Sequence, residues 1–310
     1  DLASTDDIHN NANVDLTVQA NNGAITAATD IEGSLGLNDV VNIVNTADGT
    51  TTFDTNNDVF ETINLVPYTS GAVPTIVTGA YALGATGGSL TINANTLTAL
   101  EPVTITGTSS ATPMIITTGD GSDTVNLGTK ADNLTAGAGN DIITGTAGTN
   151  VIDAGAGNDT ITLGTGVENI SGGAGNDIFV TAANIANTDT IDGGDGVDTL
   201  TTTTAISNPS VLSNVSNIEV ISPIFAAGAG SSLTADGAMG GATTFSLLDD
   251  TGEIALILGG VGKTWTADTT VIFTGKAAGD GILGEDNGVA DDSVTNSANV
   301  NLTVKGNGDD

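Results

Sequence analysis

Cysteine and arginine are both absent from this chain, and positive charge is scarce. Because none of the 310 residues is cysteine, neither a disulfide framework nor a zinc–thiolate site can exist. Acidic residues number 37 and basic residues 4, which gives a formal net charge of −33. A chain this acidic repels polyanions, and without arginine it has no bidentate fork for a phosphate. We therefore expect neither nucleic acid nor an anionic membrane surface among its partners.

Histidine, aromatic residues and long apolar runs are also in short supply. His9 is the only histidine, so this chain cannot assemble a histidine-dependent catalytic triad or an H-E-x-x-H zinc site. No run of about 18 apolar residues occurs, which predicts no membrane insertion. Aromatic residues make up 3% of the chain, whereas 43 glycines and abundant threonine, asparagine and aspartate favour short strands joined by tight turns. These features predict an all-β protein that is not an enzyme.

Three parts can be distinguished along the chain. Residues 1–117 alternate apolar and polar residues in strings such as "NVDLTV" and "SLTIN", which predicts an N-terminal β domain, and residues 202–296 predict a C-terminal one. Residues 118–201 have a nine-residue period instead. The string "NANVDLTVQAN" at 11–21 returns 286 residues later as "SANVNLTVKGN", so residues 297–310 are predicted to begin a further repeat of a longer tandem array.

The nine-residue units begin at Thr118. They are TGDGSDTVN, LGTKADNLT, AGAGNDIIT, GTAGTNVID, AGAGNDTIT, LGTGVENIS and GGAGNDIFV, and after three extra residues (181–183) NIANTDTID and GGDGVDTLT. The eighth position of all nine units is apolar: Val125, Leu134, Ile143, Ile152, Ile161, Ile170, Phe179, Ile191 and Leu200. A flexible Gly/Ser linker would not place a strand-forming residue at a fixed position in each unit.

These units resemble the RTX, or haemolysin-type calcium-binding, repeat GGxGxDxUx. In that family two nonapeptides form one coil of a parallel β-roll, so turns on one edge lie 18 residues apart in sequence and stack about 4.8 Å apart. The resemblance implies an all-β fold with a central parallel β-roll at 118–201. Its flanks are predicted to be Thr/Gly/Asn-rich segments, either β-sandwich or β-helix-like.

The resemblance also implies a calcium site between successive turns on one edge. The units that begin at 118, 136, 154, 172 and 193 keep the G-x-G-x-D turn, and calcium favours oxygen ligands of this kind. The predicted metal-binding residues are Asp123, Asp141, Asp159, Asp177 and Asp198, with Gly119, Gly121, Gly137, Gly139, Gly155, Gly157, Gly173, Gly175, Gly194 and Gly196, and with Asp120 and Asp195 adding charge at the two ends. Five turns leave four gaps, which predicts about four Ca²⁺ ions. Without metal the stacked aspartates would repel one another, and the roll should loosen or unfold.

The opposite edge lacks the full motif. The units that begin at 127, 145, 163 and 184 each miss a glycine or the aspartate. We expect side-chain hydrogen-bond ladders without metal there, with Lys130 available to neutralise a carboxylate. The three-residue insertion precedes the 184 unit, so it should bulge from this edge. The stacking of the G-x-G-x-D turns on the other edge, which we call the calcium edge, should then be unchanged.

Other acidic segments are weaker candidates. "DTNNDVFE" at 54–61 has a calcium-like spacing but lacks the glycine and final glutamate of an EF-hand, and "DGILGEDNGVADD" at 280–292 is a second acidic loop. Both are left open between a metal site and a plain acidic turn. Asp249 and Asp250 would point to opposite faces of a strand, which favours a solvated turn over paired catalytic carboxylates. The threonine-rich runs are too short for a flat ice-binding face.

The function implied by the resemblance is structural. Nonapeptides combined with long Thr/Gly/Asn-rich β segments resemble bacterial surface-layer proteins and large RTX adhesins. We expect a secreted protein of the bacterial cell surface that folds on binding extracellular calcium and self-associates into a homo-oligomer or polymer. A cell-surface glycan is a further candidate partner. The alternatives are a spacer region of an RTX adhesin and a non-catalytic region of a secreted RTX enzyme.

Overall fold

The computed structural model of this chain describes residues 7–9, 17–21, 30–32, 39–45, 49–53, 60–67, 74–78, 88–108, 110–181, 185–186, 188–206, 214–225, 231–235, 244–248, 254–258, 269–274, 293–296 and 302–305. Two compact units are present, Asp1–Ile170 and Ser171–Asp310. Regular structure in the described residues consists of strands, and none of these residues belongs to a helix long and apolar enough to cross a membrane. The prediction of an all-β protein is confirmed.

The strands are short. In the first unit they are β1 (Asp7–His9), β2 (Thr17–Asn21), β3 (Asp30–Glu32), β4 (Val40–Asn45), β5 (Gly49–Phe53), β6 (Thr62–Pro67), β7 (Pro74–Thr78), β8 (Leu90–Asn93), β9 (Thr104–Thr106), β10 (Met114–Thr117), β11 (Thr124–Asn126), β12 (Asn133–Thr135), β13 (Ile142–Thr144), β14 (Thr149–Ala156) and β15 (Thr160–Leu163). Strand β16 (Val167–Ala174) begins in the first unit and ends in the second. The second unit continues with β17 (Ile178–Thr181), β18 (Thr190–Asp195), β19 (Thr199–Ile206), β20 (Val215–Ser216), β21 (Val220–Phe225), β22 (Ser231–Ala235), β23 (Thr244–Leu248), β24 (Ile254–Leu258), β25 (Thr269–Thr274), β26 (Ser293–Asn296) and β27 (Leu302–Lys305).

Successive strands of the first unit alternate between two parallel sheets. One sheet includes the order β2-β4-β6-β8-β10-β12-β14 and the other β5-β7-β9-β11-β13-β15, while β1 pairs separately with β3. Strand β10 pairs with β12 through Ile115 and Asn133, and β11 pairs with β13 through Thr124 and Ile142. Each coil of this β-solenoid therefore contributes one strand to each of the two sheets.

The second unit is built in the same way. Its longest sheet has the order β17-β19-β21-β23-β25-β27, and shorter sheets contain β18-β20 and β22-β24-β26. Strand β17 pairs with β19 through Ile178 and Thr199, and the three extra residues make this coil longer than the nonapeptide coils that have no insertion. The hydrogen bonding of the calcium edge continues across the insertion, because the N–H of Asp177 donates to Asp198 Oδ1 at 2.8 Å.

In each unit apolar side chains form a column between the parallel sheets. Alternation along each short strand turns the eighth position of every nonapeptide inward. All nine of these residues are at most 1% exposed. The seventh position faces out, so that Ile142 is 54% and Ile178 43% exposed. Period-two patterning thus explains why the eighth position of each nonapeptide contributes a buried apolar side chain.

Coil length separates the nonapeptide coils from those before them. A nonapeptide coil without insertion spans 18 residues, which is the separation of Asp123 from Asp141 and of Asp141 from Asp159. The coils before them are longer and unequal: 22 residues separate the paired Asn42 and Asn64, and 29 residues separate Asn64 from Asn93. The predicted parallel roll is confirmed, and the described flanking strands form parallel β-helix-like coils rather than a sandwich.

Both sheets continue across the predicted boundary between residues 117 and 118. Strand β10 ends at Thr117 yet pairs with β12, and β9 pairs with β11. The sheets can continue there because parallel strands of neighbouring coils can pair even when the coils differ in length. The two compact units divide between Ile170 and Ser171, within β16.

Candidate metal centre

The aspartates of the G-x-G-x-D turns form a ladder of backbone-to-carboxylate hydrogen bonds. In the first unit the N–H of Asp123 donates to Asp141 Oδ1 at 2.7 Å, and the N–H of Asp141 donates to Asp159 Oδ1 at 2.7 Å. Asp177 and Asp198 repeat the bond in the second unit. We call these five aspartates the acidic ladder. Each carboxylate that accepts such a bond completes the hydrogen bonding of the coil before it.

The acidic ladder is buried. Its members are at most 1% exposed, and the Oδ2 atoms of Asp123, Asp141 and Asp198 are buried without a hydrogen-bond partner. A buried carboxylate oxygen that has lost water and gained no donor is costly, and such carboxylates are normally paired or bound to metal. One oxygen of each of these three carboxylates thus stabilises the fold, and the other is available to a cation.

The environment opposes negative charge on this ladder. Burial, and then the charges of Asp123 and Asp159, raise the pKa of Asp141 to about 7, although the hydrogen bond from the Asp123 N–H lowers it. Burial chiefly, with Asp177, Glu219 and Asp192 nearby, raises the pKa of Asp198 to about 6. Burial also raises the pKa of Asp123, partly offset by the Val103 N–H. A divalent cation would relieve this repulsion.

The glycines give the turns their shape. In the turns that begin at 136, 154, 172 and 193 both motif glycines have positive φ, for example 102° at Gly155 and 137° at Gly157. A Cβ at Gly155 would collide with the carbonyl oxygen of Gly137, and one at Gly157 with that of Gly139. Left-handed backbone and this close approach both require glycine. The stacked turns therefore place the carbonyl oxygens of one turn against the next.

The first turn, at 118–123, is built differently. Positive φ among the described glycines does not extend to Gly119 and Gly121. Both are buried, and a Cβ on them would collide with Leu97 and Pro102 of the preceding, non-nonapeptide coil. The first turn of the calcium edge thus packs against a preceding coil that lacks the nonapeptide motif.

The oxygens of the turns fit calcium. A Cβ at Gly172 would collide with both Asp177 Oδ2 and the Gly193 carbonyl oxygen, so two oxygens converge over the Cα of Gly172. We call such a pair of converging oxygens an oxygen cradle. Among the described residues no three or more His, Cys, Asp or Glu side chains come together so that they could hold a metal ion by themselves, so an ion here would depend on main-chain carbonyls together with the carboxylates. Calcium accepts that mixture of carboxylate and carbonyl ligands.

The opposite edge carries a mixed polar ladder. Met114 N–H donates to Asp132 Oδ1 at 2.8 Å, Asp132 N–H to Asn150 Oδ1 at 3.1 Å, and Asn150 Nδ2 to Glu168 Oε1 at 3.2 Å. Gly128 N–H also donates to Asp132 Oδ2 at 2.9 Å. Both carboxylate oxygens of Asp132 are therefore used by backbone donors, unlike those of Asp141. The expected side-chain ladder is present on this edge.

Some predicted residues lie apart from the ladder or outside the described part of the chain. Asp120 and Asp195 are exposed, and their contribution of charge at the ends stays a prediction. Of the segment 54–61 only Phe60 and Glu61 are described, and segments 249–250 and 280–292 lie outside the described residues. The metal sites considered at 54–61 and 280–292, and the solvated turn expected at Asp249 and Asp250, stay predictions.

Sequence reasoning missed one carboxylate at the calcium edge. Glu219 accepts the N–H of Asp198 through Oε2 at 2.8 Å, so it takes the next position in the acidic ladder. On the opposite edge, where strands β4 and β6 begin, Glu61 likewise accepts the N–H of Asp39, at 2.8 Å. The available signal was the shared apolar–Glu–x–apolar pattern of "FETI" and "IEVI", which marks a carboxylate that caps the preceding coil.

Replacing Asp141 by asparagine is expected to change stability in opposite directions with and without calcium. The asparagine side chain would retain an oxygen for the Asp123 N–H but would no longer repel Asp123 and Asp159, so the metal-free protein should melt at a higher temperature. Loss of the charge should raise the calcium concentration needed for folding about tenfold, equivalent to about 1.4 kcal/mol. Calcium titrations and metal-free melts followed by circular dichroism would measure both effects.

Asp153→Asn is the matched control because Asp153 is exposed on β14 and the net charge changes equally. This substitution should change neither the melting temperature of the metal-free protein nor the calcium concentration needed for folding. A D141N variant that shifts both melts in the same direction would contradict a role for Asp141 as both repelling charge and metal ligand.

Acidification is expected to stabilise the metal-free chain. The folded-state pKa values of Asp141 and Asp198, about 7 and about 6, lie above the ordinary value of 3.8, so the folded state binds more protons than the unfolded state between these limits. The free energy of unfolding should therefore fall as the pH rises from about 4 to about 7. Thermal melts of metal-stripped protein at pH 5 and pH 8 test this, and equal or higher melting temperature at pH 8 would contradict it.

A family model matches the nonapeptide region. Residues 117–152, 144–179 and 186–202 match the RTX calcium-binding nonapeptide repeat, in four copies. No curated protein and no solved structure matches the chain. The chain thus carries RTX repeats, whose ion is calcium, and four copies agree with the prediction of about four ions.

Proposed function

We propose that this chain, through its RTX calcium-binding repeats, acts as a structural protein of the bacterial cell surface that folds and self-associates in extracellular calcium. The observation that carries the proposal is the buried acidic ladder, with carboxylate oxygens that lack hydrogen-bond donors at Asp123, Asp141 and Asp198. Such a ladder is unfavourable where calcium is scarce and favourable where it is plentiful. RTX repeat proteins are typically secreted, which agrees with this switch.

Self-association is supported by the outer face of the first unit. Ile115 and Val151, each 43% exposed, lie in one outward column with Asn133 between them. Ile142, at 54% exposed, projects from the other sheet. Exposed apolar side chains such as these suit contact with a second copy of the same solenoid. We infer a homotypic contact that forms only when calcium has ordered the coils.

The alternatives predict a different association state. As the spacer of an RTX adhesin, or as a non-catalytic region of an RTX enzyme, the calcium-loaded chain would be rigid but monomeric. The near-repeat of residues 11–21 at 297–307 agrees with a tandem spacer as well as with a fibre.

Electron microscopy and sedimentation of the purified chain test the proposal. Calcium should convert monomers into ordered sheets or fibres, and chelator should reverse the change. A chain that folds in calcium but remains monomeric at all protein concentrations would overturn the proposed assembly and favour the spacer. Ile142→Asn, which removes an exposed apolar side chain, should weaken assembly without changing the calcium-dependent circular dichroism signal.

A further inference from the structure

The acidic ladder does not end with the last nonapeptide. Asp198 N–H donates to Glu219 Oε2 at 2.8 Å, just as Asp177 N–H donates to Asp198 Oδ1 at 2.8 Å. The N–H groups of Glu219 and Val220 donate in turn to the Asp198 carbonyl, at 3.1 and 2.9 Å. Residues 214–220 contain no glycine and lie beyond the RTX match, which ends at residue 202. A coil without the motif therefore continues the calcium edge.

The oxygen cradle described at Gly172 recurs at Gly193. A Cβ at Gly193 would lie 2.6 Å from Asp198 Oδ2 and would collide with the Asn217 carbonyl oxygen. At Gly172 the corresponding atoms are Asp177 Oδ2 and the Gly193 carbonyl oxygen. In both places the turn's own carboxylate converges with a main-chain carbonyl from the following coil. The second cradle differs only in that its carbonyl belongs to a residue outside the nonapeptides.

The backbone at Asn217 is shaped for this position. Among the described residues Asn217 is the one non-glycine with positive φ, at 50°. Asparagine tolerates this left-handed conformation better than most residues. Its Nδ2 donates to Asp192 Oδ1 at 2.7 Å, which fixes the turn against the previous coil. The pairing of Asp192 with Ser216 then places Asn217 beside Gly193.

We propose that Asp198, Asn217 and Glu219 bind one further calcium ion, beyond the gaps between nonapeptide turns. Asp198 is fully buried, and its Oδ2 is aimed into the cradle without a hydrogen-bond donor. Asn217 contributes its main-chain carbonyl, and Glu219 brings a second negative charge to the same step of the ladder. Carboxylate and carbonyl oxygens suit calcium, whereas zinc and copper sites usually include nitrogen or sulfur ligands.

This ion would extend calcium control past the recognised repeats. It would join the last nonapeptide turn to the coil at 214–220, from which strand β21 continues the second unit. The proposal depends on calcium binding by the repeats but not on surface assembly. Failure of the chain to assemble would leave it unaffected.

Replacing Glu219 by glutamine is the direct test. Glutamine keeps an oxygen for the Asp198 N–H and removes only the charge. Full-length wild-type and E219Q proteins would be equilibrated at a series of calcium concentrations, and bound calcium per chain counted by mass spectrometry of the metal. We expect E219Q to bind one ion fewer than the wild type while giving the same circular dichroism spectrum at saturating calcium.

Glu101→Gln provides the control for loss of a buried glutamate charge. Glu101 is 4% exposed, and its Oε2 accepts bonds from the N–H and hydroxyl of Thr98, within its own loop. E101Q should bind as many ions as the wild type. An unchanged count in E219Q, or an equal loss in E101Q, would overturn the proposal.

Anomalous diffraction from crystals of the wild-type chain grown with terbium provides a second measurement that needs no variant. A peak between the carboxylate of Asp198 and the carbonyl of Asn217 is expected. Peaks confined to the gaps between nonapeptide turns would refute the additional site, even if E219Q failed to fold.

Discussion

Removing calcium is expected to abolish the cooperative unfolding transition of the nonapeptide coils. At a free calcium concentration a hundred times the dissociation constant, each ion stabilises the folded state by about 2.7 kcal/mol. About four such ions would contribute about 11 kcal/mol, which is comparable to the whole stability of a typical domain, about 5–15 kcal/mol. Chelation also restores the repulsion between Asp123, Asp141 and Asp159.

Far-ultraviolet circular dichroism with and without chelator measures this loss. The β-strand signal should decrease in chelator and return when calcium is added in excess. Magnesium serves as the control, because it requires near-octahedral geometry and gives up its water reluctantly. A spectrum and melting temperature that stay the same in chelator would contradict the dependence on metal. Full recovery in magnesium would contradict the selectivity.

Replacing Gly157 by alanine is expected to cause a large loss of stability in the first unit. Its φ of 137° is a conformation that alanine rarely adopts, and strain of this kind costs about 1–3 kcal/mol. The new Cβ would also collide with the Gly139 carbonyl, which is backbone and cannot rotate away. The neighbouring turns must therefore separate, and we expect a total loss of about 3 kcal/mol or more.

Ala156→Ser is the matched control for Gly157→Ala. Ala156 is the adjacent residue and is exposed, so the substitution should change stability by less than about 0.5 kcal/mol. Calcium-saturated melts would compare both variants with the wild type, and calcium titrations would show whether G157A also needs more calcium to fold. If G157A melted within a degree of the wild type, close stacking of the turns would be disproved.

The nonapeptide coils could be predicted from sequence because three signals agree in them. The apolar eighth position identifies the buried residues, and the constant spacing of complete turns identifies which strands pair. Glycine pairs such as Gly137 and Gly139 identify left-handed backbone. Each signal rests on local geometry that repeats without change, so a short window suffices to identify the fold of the whole region.

The flanking coils and the end of the ladder could not be predicted in the same way. The unequal coils from Asn42 to Asn64 and from Asn64 to Asn93 have no fixed period, so the alternation within strands is visible but their partners are not. Glu219 follows a turn that is shorter than that of the nonapeptide. Asp192 pairs with Ser216 and Thr199 with Val220, so the stretch 216–220 takes the place of the longer stretch 192–199. The longer side chain of glutamate fits this shorter turn, which hides the equivalence from a motif search.

The hydrogen bonds of the acidic ladder all run one way along the chain. Asp123 depends on Asp141, Asp177 on Asp198, and Asp198 on Glu219, so each donor precedes its acceptor by one coil. The hydrogen bonds of a coil are therefore complete only after the following coil of the chain has formed. Folding of the solenoid therefore has a direction. If the chain emerges from its N-terminus, the newest coil always lacks the carboxylate that accepts its N–H. If the chain emerges from its C-terminus, each new coil finds that carboxylate already in place on the coil formed before it.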